Sequence, residues 1–542
     1  MLSGERLDNK LSPAFKQLNP FEIKSALNSL LDKINSPEDI SKCLADFEMF
    51  DAQENKTILS KLLFKELSNA QKNKIPVICF LLERYVEKSE IVNKFWEMLK
   101  NSSLNSDVKI TIINLLRELD SDWSYQNAEE ILGEESSQIL DENTKQLLDN
   151  AIINPEVQID FMDFLATIKV QDKITLLNSF ENDFSQDALA NILIPVFESE
   201  PNSPQGLEAL RILGQTKSQL ALHVLEKVNK VAKGELSQNI RKSLATLKMS
   251  GIREDNTKEF YKKILSNTIP DKFYVTYPDA HSDMAMIFTR KTQNDKIRFV
   301  SIVINLESGI KDCFGFFEIS QFECSKILER FLKDDRTADI SPEDFKTILY
   351  NAELSTINDK NGWRLPYEYV CWKNLLLDVD FEAKPIEQIL KEQIIPENID
   401  DSIFEKLDKM KVSTRWFLDE HYSSEFESLI KTLATNNNLD KVVEDYTEIV
   451  FYPQEKSSWM KKLYMSAFIK YSIGKIEESI QIYSLLFSEN ILNGFFKNVL
   501  KRSIYEYFMT IKYNKDLNVN NFSPEQIDEK IKFIEEKWVK SV

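Results

Sequence analysis

One short segment of this 542-residue chain has side chains that could bind a metal ion. It runs from Tyr277 to Asp283 and carries Asp279, His281 and Asp283 at every second position. In an extended backbone these three side chains point to one side, and two carboxylates with an imidazole suit a divalent cation. The alternative is a hairpin loop, because Pro278-Asp279 is turn chemistry and β-type sequence lies on both sides. We favour the hairpin loop.

The rest of the sequence offers little material for catalysis. It contains no Walker-type phosphate loop, no G-x-S-x-G, no H-E-x-x-H and no glycine fingerprint after a strand. It has three histidines, His223, His281 and His421, and His223 lies in an apolar stretch that predicts a core position. Five scattered cysteines without a C-x-x-C pair predict buried thiols in a reducing compartment. We therefore expect no catalytic residue, no cofactor and no metal.

A cluster of aromatic residues and arginine interrupts a helical region near residue 365. Trp363, Arg364 and Tyr367 are the candidate partner-binding residues, because Trp, Tyr and Arg are enriched at binding hot spots. The alternative, which we favour, is that Trp363 and Tyr367 pack one domain against the helices.

The charge distribution bears on the class of partner. The net charge is −19, which opposes binding to a nucleic-acid backbone. Residues 119–210 hold 19 acidic and three basic residues, whereas residues 211–250 hold eight basic and two acidic ones. Such a surface would steer a basic protein partner toward its acidic part. Solvated outer helix faces are the alternative explanation.

Proline and capping residues mark the helix starts. A capping residue followed by proline occurs at Asn19-Pro20, Ser36-Pro37, Asn154-Pro155, Ser203-Pro204 and Ser341-Pro342. After a cap at Ser106, apolar residues from Val108 to Leu119 follow helical spacing on a broad face, which predicts an inner helix covered on two sides.

The stretch from Ser203 to Gly251 resembles the HEAT-repeat class. Its sequences around Ala209 to Gly214 and Ser243 to Lys248 lie about 34 residues apart, as expected for one stacked helical pair. The resemblance implies an α-solenoid over residues 1–254, whose curvature suits peptides and protein faces. An ordinary helical bundle is the alternative architecture.

A change of periodicity predicts a small α+β domain at residues 255–385. Four β-rich runs with short connections predict an antiparallel meander: residues 273–277, 283–291, 297–305 and 309–320. Helices are expected at 321–332, after Ser341 and near 366–377.

The last part, residues 386–542, is again predicted to be helical. Asn437 to Tyr446 aligns with Gly474 to Tyr483 at an offset of 37 residues. The second copy, with Ala467 and Ser479, resembles a tetratricopeptide unit, in which small residues let paired helices approach.

These features favour a non-enzymatic protein-interaction or scaffold protein. The longest apolar run, Ile75 to Leu82, is far shorter than the roughly 20 residues of a membrane span, so we expect a cytoplasmic protein without membrane contact. One alternative is an enzyme with a site in or beside the α+β domain that uses acids such as Asp279 and Asp312. The other is nucleic-acid binding, which would need a shared groove for Arg211, Arg241, Lys242, Lys248 and Arg253.

Overall fold

The structure is a computed structural model. It describes residues 18–34, 50–71, 74–133, 154–180, 185–252, 268–333, 337–358, 363–376, 382–410, 412–413, 415–418, 424–436, 438–514 and 522–538, with Ser136, Ile139, Ala151, Leu265 and Asp378. Over these residues it contains 23 α-helices and one five-stranded antiparallel sheet, so the chain is mainly helical, as predicted. It divides into two compact units, Met1–Leu147 and Leu148–Val542. The domain boundaries expected at residues 254 and 385 stay predictions.

The regular elements among the described residues of the first unit are all helices. Its helices are α1 (Pro20–Lys33), α2 (Gln53–Ser68), α3 (Ile75–Tyr85), α4 (Lys88–Leu99), α5 (Ser106–Leu119) and α6 (Tyr125–Leu132). Consecutive helices from α1 to α5 pack against each other. Helix α5 buries Val108, Ile110 and Ile112, as its broad apolar face predicts, but its cap is Asn105 rather than Ser106.

The second unit begins with six helices. They are α7 (Pro155–Thr167), α8 (Val170–Ser179), α9 (Gln186–Ser199), α10 (Pro204–Gln215), α11 (Gln219–Asn229) and α12 (Gly234–Met249). Asn154 and Ser203 cap α7 and α10 as predicted, and Asn19 caps α1. The predicted start at Ser36-Pro37 lies outside the described residues.

Alternate helices in this group form two layers. Helices α7, α9 and α11 contact one another in order, and so do α8, α10 and α12. Every residue of α9 from Ala188 to Ser199 is buried, because the helix lies between its own layer, the other layer and the rest of the unit. A helix that is apolar around its whole circumference requires such cover. This arrangement is compatible with a helical repeat.

Small residues bring α10 and α12 together at the position singled out by the sequence repeat. A Cβ on Gly214 would lie 2.7 Å from the Cβ of Ser243. The hydroxyl of Ser243 donates a hydrogen bond of 3.1 Å to the carbonyl of Leu210. The two helices therefore approach more closely than larger side chains would allow.

The sheet is a meander with one additional strand. Strands β1 (Ile269–Thr276), β2 (Asp283–Lys291), β3 (Lys296–Asn305) and β4 (Gly309–Ser320) follow the four predicted runs, and β5 (Thr337–Asp339) was not predicted. Their order is β4-β3-β2-β1-β5 and all pairs are antiparallel.

Helices lie on both faces of the sheet. On one face, α13 (Gln321–Leu332) packs on Ile287 and Phe299. On the opposite face, Phe345 of α14 (Pro342–Ile357) packs edge-on against Phe273 and Phe288. Beside α14, α15 (Tyr367–Lys373) packs on β4 and is followed by a 3-10 turn, Asn374–Leu376. Ser341 caps α14 as predicted.

The remaining regular elements among the described residues are helices. They form α16 (Ile386–Gln393), α17 (Ile403–Lys409), α18 (Ser424–Thr435), α19 (Leu439–Tyr446), a π-helical turn (Thr447–Phe451), α20 (Tyr452–Ser472), α21 (Ile476–Leu485), α22 (Glu489–Tyr513) and α23 (Pro524–Lys537). Helices α20 and α21 pair, and the hydroxyl of Ser479 donates a hydrogen bond of 2.7 Å to the carbonyl of Ala467. Within the described ranges, no helix is both long and apolar enough to cross a membrane.

We expect Gly214→Ala to destabilise the protein. The added methyl meets Ser243, and overpacking of this kind costs about 1–3 kcal/mol, which exceeds the helix propensity that alanine contributes. Urea denaturation would measure the change in the free energy of unfolding. Thr246→Ala, an exposed change on α12, is the control and should not lower it, because alanine has a higher helix propensity than threonine. Stabilisation by Gly214→Ala would contradict the close packing.

Candidate functional site

Exposed aromatic side chains lie on the sheet face that α13 covers in part. Phe314 is 49% exposed and Phe316 is 38% exposed, although both lie within a β-strand. Their rings are 6.3 Å apart, and each lies about as far from the fully buried ring of Phe299. Half-exposed Val303 and Ala285 follow across the sheet in paired register. We name Phe314, Phe316, Val303 and Ala285 the sheet patch.

Acidic residues border the sheet patch along β4. Asp312 is exposed and lies on the same face as Phe314, whereas the β-bulge at Phe317 and Glu318, opposite Arg298, turns Glu318 away from this face. At the outer edge of β4, the backbone N–H of Phe317 donates a hydrogen bond of 2.9 Å to the carboxylate of Glu156 on α7. One turn further along α7, Asp160 is exposed.

The candidate partner-binding residues lie where the segment before α15 meets the helical layers. Trp363 is buried, and its indole N–H donates a hydrogen bond of 3.0 Å to the carbonyl of Glu198 at the end of α9. The hydroxyl of Tyr367 donates a hydrogen bond to Asp163 on α7. Arg364 is exposed. The structure thus brings Trp363 and Tyr367 against the helices, and partner binding by the three residues stays a prediction.

A buried ionic cluster joins α15 to two other helices. The ammonium group of Lys373 lies 2.9 Å from the carboxylate of Glu198 on α9 and 3.4 Å from that of Glu353 on α14. Tyr369 donates a hydrogen bond of 3.0 Å to Glu353, and Lys227 on α11 lies 3.8 Å from it. Burial alone would raise the pKa of Glu353, but the two ammonium groups lower it to about 2. The pKa of Lys373 is raised to about 12 because its two carboxylates outweigh the effect of burial.

The segment Tyr277–Asp283 forms the loop of the β1–β2 hairpin. The carboxylate of Asp279 accepts a hydrogen bond of 2.9 Å from the backbone N–H of Asp283, which closes the turn. The carboxylate of Asp283 instead contacts Asn305 and Lys311. In the part of the chain that the structure describes, no group of three or more His, Cys, Asp or Glu side chains could hold a metal.

This hairpin loop docks on the C-terminal helices. The indole of Trp416 donates a hydrogen bond of 2.6 Å to the carbonyl of Pro278. The hydroxyl groups of Ser282 and Ser458 lie 3.4 Å apart. Lys470 of α20 lies with its ammonium group 5.2 Å from the ring centre of Tyr277. The loop therefore contributes to packing between the sheet and α20.

A fully buried lysine lies on the same helix. The ammonium group of Lys462 lies 4.0 Å from the ring centre of Trp459 and has no hydrogen-bond partner among the described residues. The same holds for the indole N–H of Trp459 and the hydroxyl of Ser466, which are spaced along one face of α20. Burial lowers the pKa of Lys462 to about 8, although Asp279 and other carboxylates oppose this.

A small cavity and two buried cysteines bear on the alternative that the chain is an enzyme. A cavity of about 130 Å³ lies between the β3–β4 turn, α14, α16 and α20, below the roughly 300–1,000 Å³ of typical ligand sites. Neither Asp279 nor Asp312 is among its lining residues. Burial raises the pKa of the Cys313 and Cys371 thiols, which disfavours the reactive thiolate.

Two of the residues proposed for a nucleic-acid groove, Lys248 and Arg211, have partners within the chain. Lys248 forms an ion pair of 2.7 Å with Glu226, and Arg211 contacts Glu208 and Asn178. Arg253 lies outside the described residues. His223, predicted in the core, is half-buried instead.

Sequence reasoning missed both the sheet patch and the buried lysine. The alternation of strand residues predicts that Asp312, Phe314 and Phe316 share a face, but the sequence reveals neither the extent of α13 cover nor the β-bulge that turns Glu318 away. Nothing in the sequence around Lys462 distinguishes it from half-buried Lys456 and Lys461 of the same helix.

Comparison with known proteins gives no match. No protein-family model, no curated protein and no solved structure is significantly similar to this chain.

We expect Lys373→Met to cost about 3–5 kcal/mol of unfolding free energy, because it leaves two buried carboxylates without their shared ammonium group. Urea denaturation at pH 7 would measure this loss. Lys230→Met is the matched control, since Lys230 and Glu382 form an exposed pair, and it should cost less than about 1 kcal/mol. The difference between Lys373→Met and the unmodified protein should narrow as the pH falls from about 4.5 toward 2, because the stability that ionised Glu353 contributes to the unmodified protein is lost as that carboxylate is protonated. Equal losses for the two variants would contradict the role of the cluster.

We expect Lys462→Met to stabilise the protein at pH 7 by about 1–2 kcal/mol, because it removes a buried cation without a hydrogen bond. In the unmodified protein the folded state releases this proton near pH 8, whereas the unfolded chain holds it to about pH 10.5. Stability relative to Lys462→Met should therefore rise over that range by up to about 3 kcal/mol. Thermal and urea denaturation from pH 7 to 10 would measure this, with exposed Lys532→Met as control. A constant difference across that range would contradict the lowered pKa.

Proposed function

We propose that this chain is a non-enzymatic protein-interaction scaffold that presents the sheet patch to a protein partner. The exposure of Phe314 and Phe316 carries the proposal. Apolar groups rimmed by polar residues mark interaction surfaces, and aromatic side chains contribute large contact area with few rotatable bonds.

In this proposal, the two helical layers brace the sheet and the residues around it. We interpret α7 to α12 as a short HEAT-like solenoid, because alternate helices are neighbours within each layer. Helix α15 packs against α7 and α9 of one layer. That part of the layer is therefore covered by the chain itself, which favours the sheet patch over the solenoid as the partner-binding surface.

The C-terminal helices add a second brace in this proposal. We interpret α20 and α21 as a tetratricopeptide-like pair, supported by the close contact of Ser479 with Ala467. Tyr464 and Tyr483 pack between them, with ring centres 6.0 Å apart.

The proposed setting is the cytoplasm. Cys79, Cys313, Cys324 and Cys371 are buried free thiols. Such thiols are compatible with a reducing compartment.

We expect the double variant F314S/F316S to lose the partner while keeping the fold, because both side chains are substantially exposed. Affinity purification from the native cell with mass spectrometry would identify a stoichiometric partner of the unmodified chain. Binding of that purified partner would then be measured by titration calorimetry. I395S, a change at a side chain that is 84% exposed, is the control and should bind normally. Failure of the unmodified chain to recover any stoichiometric partner would refute the scaffold proposal.

A further inference from the structure

We propose that the cavity between the β3–β4 turn, α14, α16 and α20 binds a primary alkylammonium group, such as the side chain of a lysine. The methylene chain lies against the apolar walls of the cavity, and the ammonium group lies between the carboxylate of Glu387 and the ring of Tyr464. This site is separate from the sheet patch, so the two can be tested independently.

The cavity has room for one side chain and not for a larger ligand. Its volume is about 130 Å³, and a site that holds one water molecule needs about 10–15 Å³. Several groups of that size therefore fit. A lysine side chain is a flexible stem of four carbons with a compact ammonium group at its end, which matches a small cavity better than a branched or ring-shaped ligand does.

The walls of the cavity suit the methylene stem. Ile304, Ala352, Ile386 and Met465 line it, and all four are buried. They come from β3, α14, α16 and α20, so four separate elements form the apolar lining. Long cationic side chains bury their stems along such apolar surface while the charged end stays at a polar border.

The two lining amides are already occupied. Asn351 accepts a hydrogen bond of 3.1 Å from the backbone N–H of Ile386, which fixes the start of α16. Asn305 donates a hydrogen bond of 2.7 Å to Asp283 and holds the β3–β4 turn. These amides shape the cavity and are not free to bind a ligand.

The charge that remains at the cavity is negative. The ammonium group of Lys461 forms an ion pair with Glu307 of the β3–β4 turn. Glu387 is exposed at the cavity and forms no hydrogen bond or ion pair with any described residue. Lys391, one turn further along α16, forms no ion pair within the described part of the chain either. An uncompensated carboxylate at the mouth of an apolar cavity selects a cation and repels an anion.

Aromatic rings adjoin this carboxylate. The ring centre of Tyr464 lies 6.0 Å from that of Tyr483, which lies 5.0 Å from the ring of Phe487. Burial and then the charge of Glu387 raise the pKa of both tyrosines, which places the carboxylate near their hydroxyl groups. Ammonium groups are attracted to aromatic faces, so Tyr464 adds to the attraction of Glu387 for the same cation.

The test uses the full chain and the Nα-acetyl methylamides of lysine, norleucine and arginine. Norleucine lacks the ammonium group, and n-butylamine is a fourth probe that carries the ammonium group without a peptide backbone. Ligand-observed NMR titration would give Kd for each probe at low and physiological salt. The variants are E387Q and K391M. The matched control is E405Q, because Glu405 is also an exposed glutamate in the first turn of a short helix.

We expect the lysine derivative to bind the unmodified chain and E405Q equally, and the norleucine derivative to bind at least about tenfold more weakly. Its Kd should be several-fold weaker for E387Q, with a smaller salt dependence. K391M should strengthen binding by about twofold, because it removes a cation that competes for Glu387. Circular dichroism would show that E387Q keeps the fold.

The probes also separate two sources of the ligand. Tighter binding of the lysine derivative than of n-butylamine supports a lysine side chain of a protein partner, whereas equal binding supports a free amine. Unchanged binding to E387Q, equal binding of the norleucine derivative or tighter binding of the arginine derivative would overturn the inference. F314S/F316S should bind the lysine derivative normally, so failure here leaves the proposed function standing.

Discussion

The ammonium group of Lys373 holds together three parts of the second unit. It lies between carboxylates from α9 and α14, while its own helix packs on the sheet. Three charges buried together are stable only as a complete set, because removal of one leaves the others without compensation in a low-dielectric environment. Trp363 adds an uncharged contact at the same helix end through the carbonyl of Glu198. The helical layers, the sheet and α15 are thus parts of one packed structure.

The sheet faces differ in how they are covered, and this difference explains where a partner is proposed. The face toward α14 and α15 is closely packed at Gly315, where a Cβ would lie 2.6 Å from the ring of Trp372. On the opposite face, α13 packs over Ile297 and Phe299, and the rings of Phe314 and Phe316 beside it stay partly exposed. A sheet with one tightly packed face and one half-covered face combines a rigid support with an accessible surface.

Local signals predicted the elements of this chain better than their assembly. The sequence predicted caps such as Asn154 and Ser203, the four strand runs and the start of α13 at Gln321. Each of these features depends on a few neighbouring residues. The short strand β5 was missed because three residues carry no periodicity. The cover of α9 by α15, and the burial of Lys462, depend on contacts between distant segments, which one sequence does not reveal. The hairpin loop at Asp279 was predicted correctly because turn chemistry is local.

The long separation between Glu198 and Lys373 has a consequence for synthesis of the chain. These residues are 175 positions apart, so at about 5–20 residues per second a ribosome needs on the order of 10 to 35 seconds to deliver the lysine after the glutamate. During that interval α9, the most completely buried helix of the layers, has no α15 to cover it. The newly made N-terminal part therefore presents apolar surface to the cell before its cover arrives, and protection by chaperones at this stage would favour correct assembly.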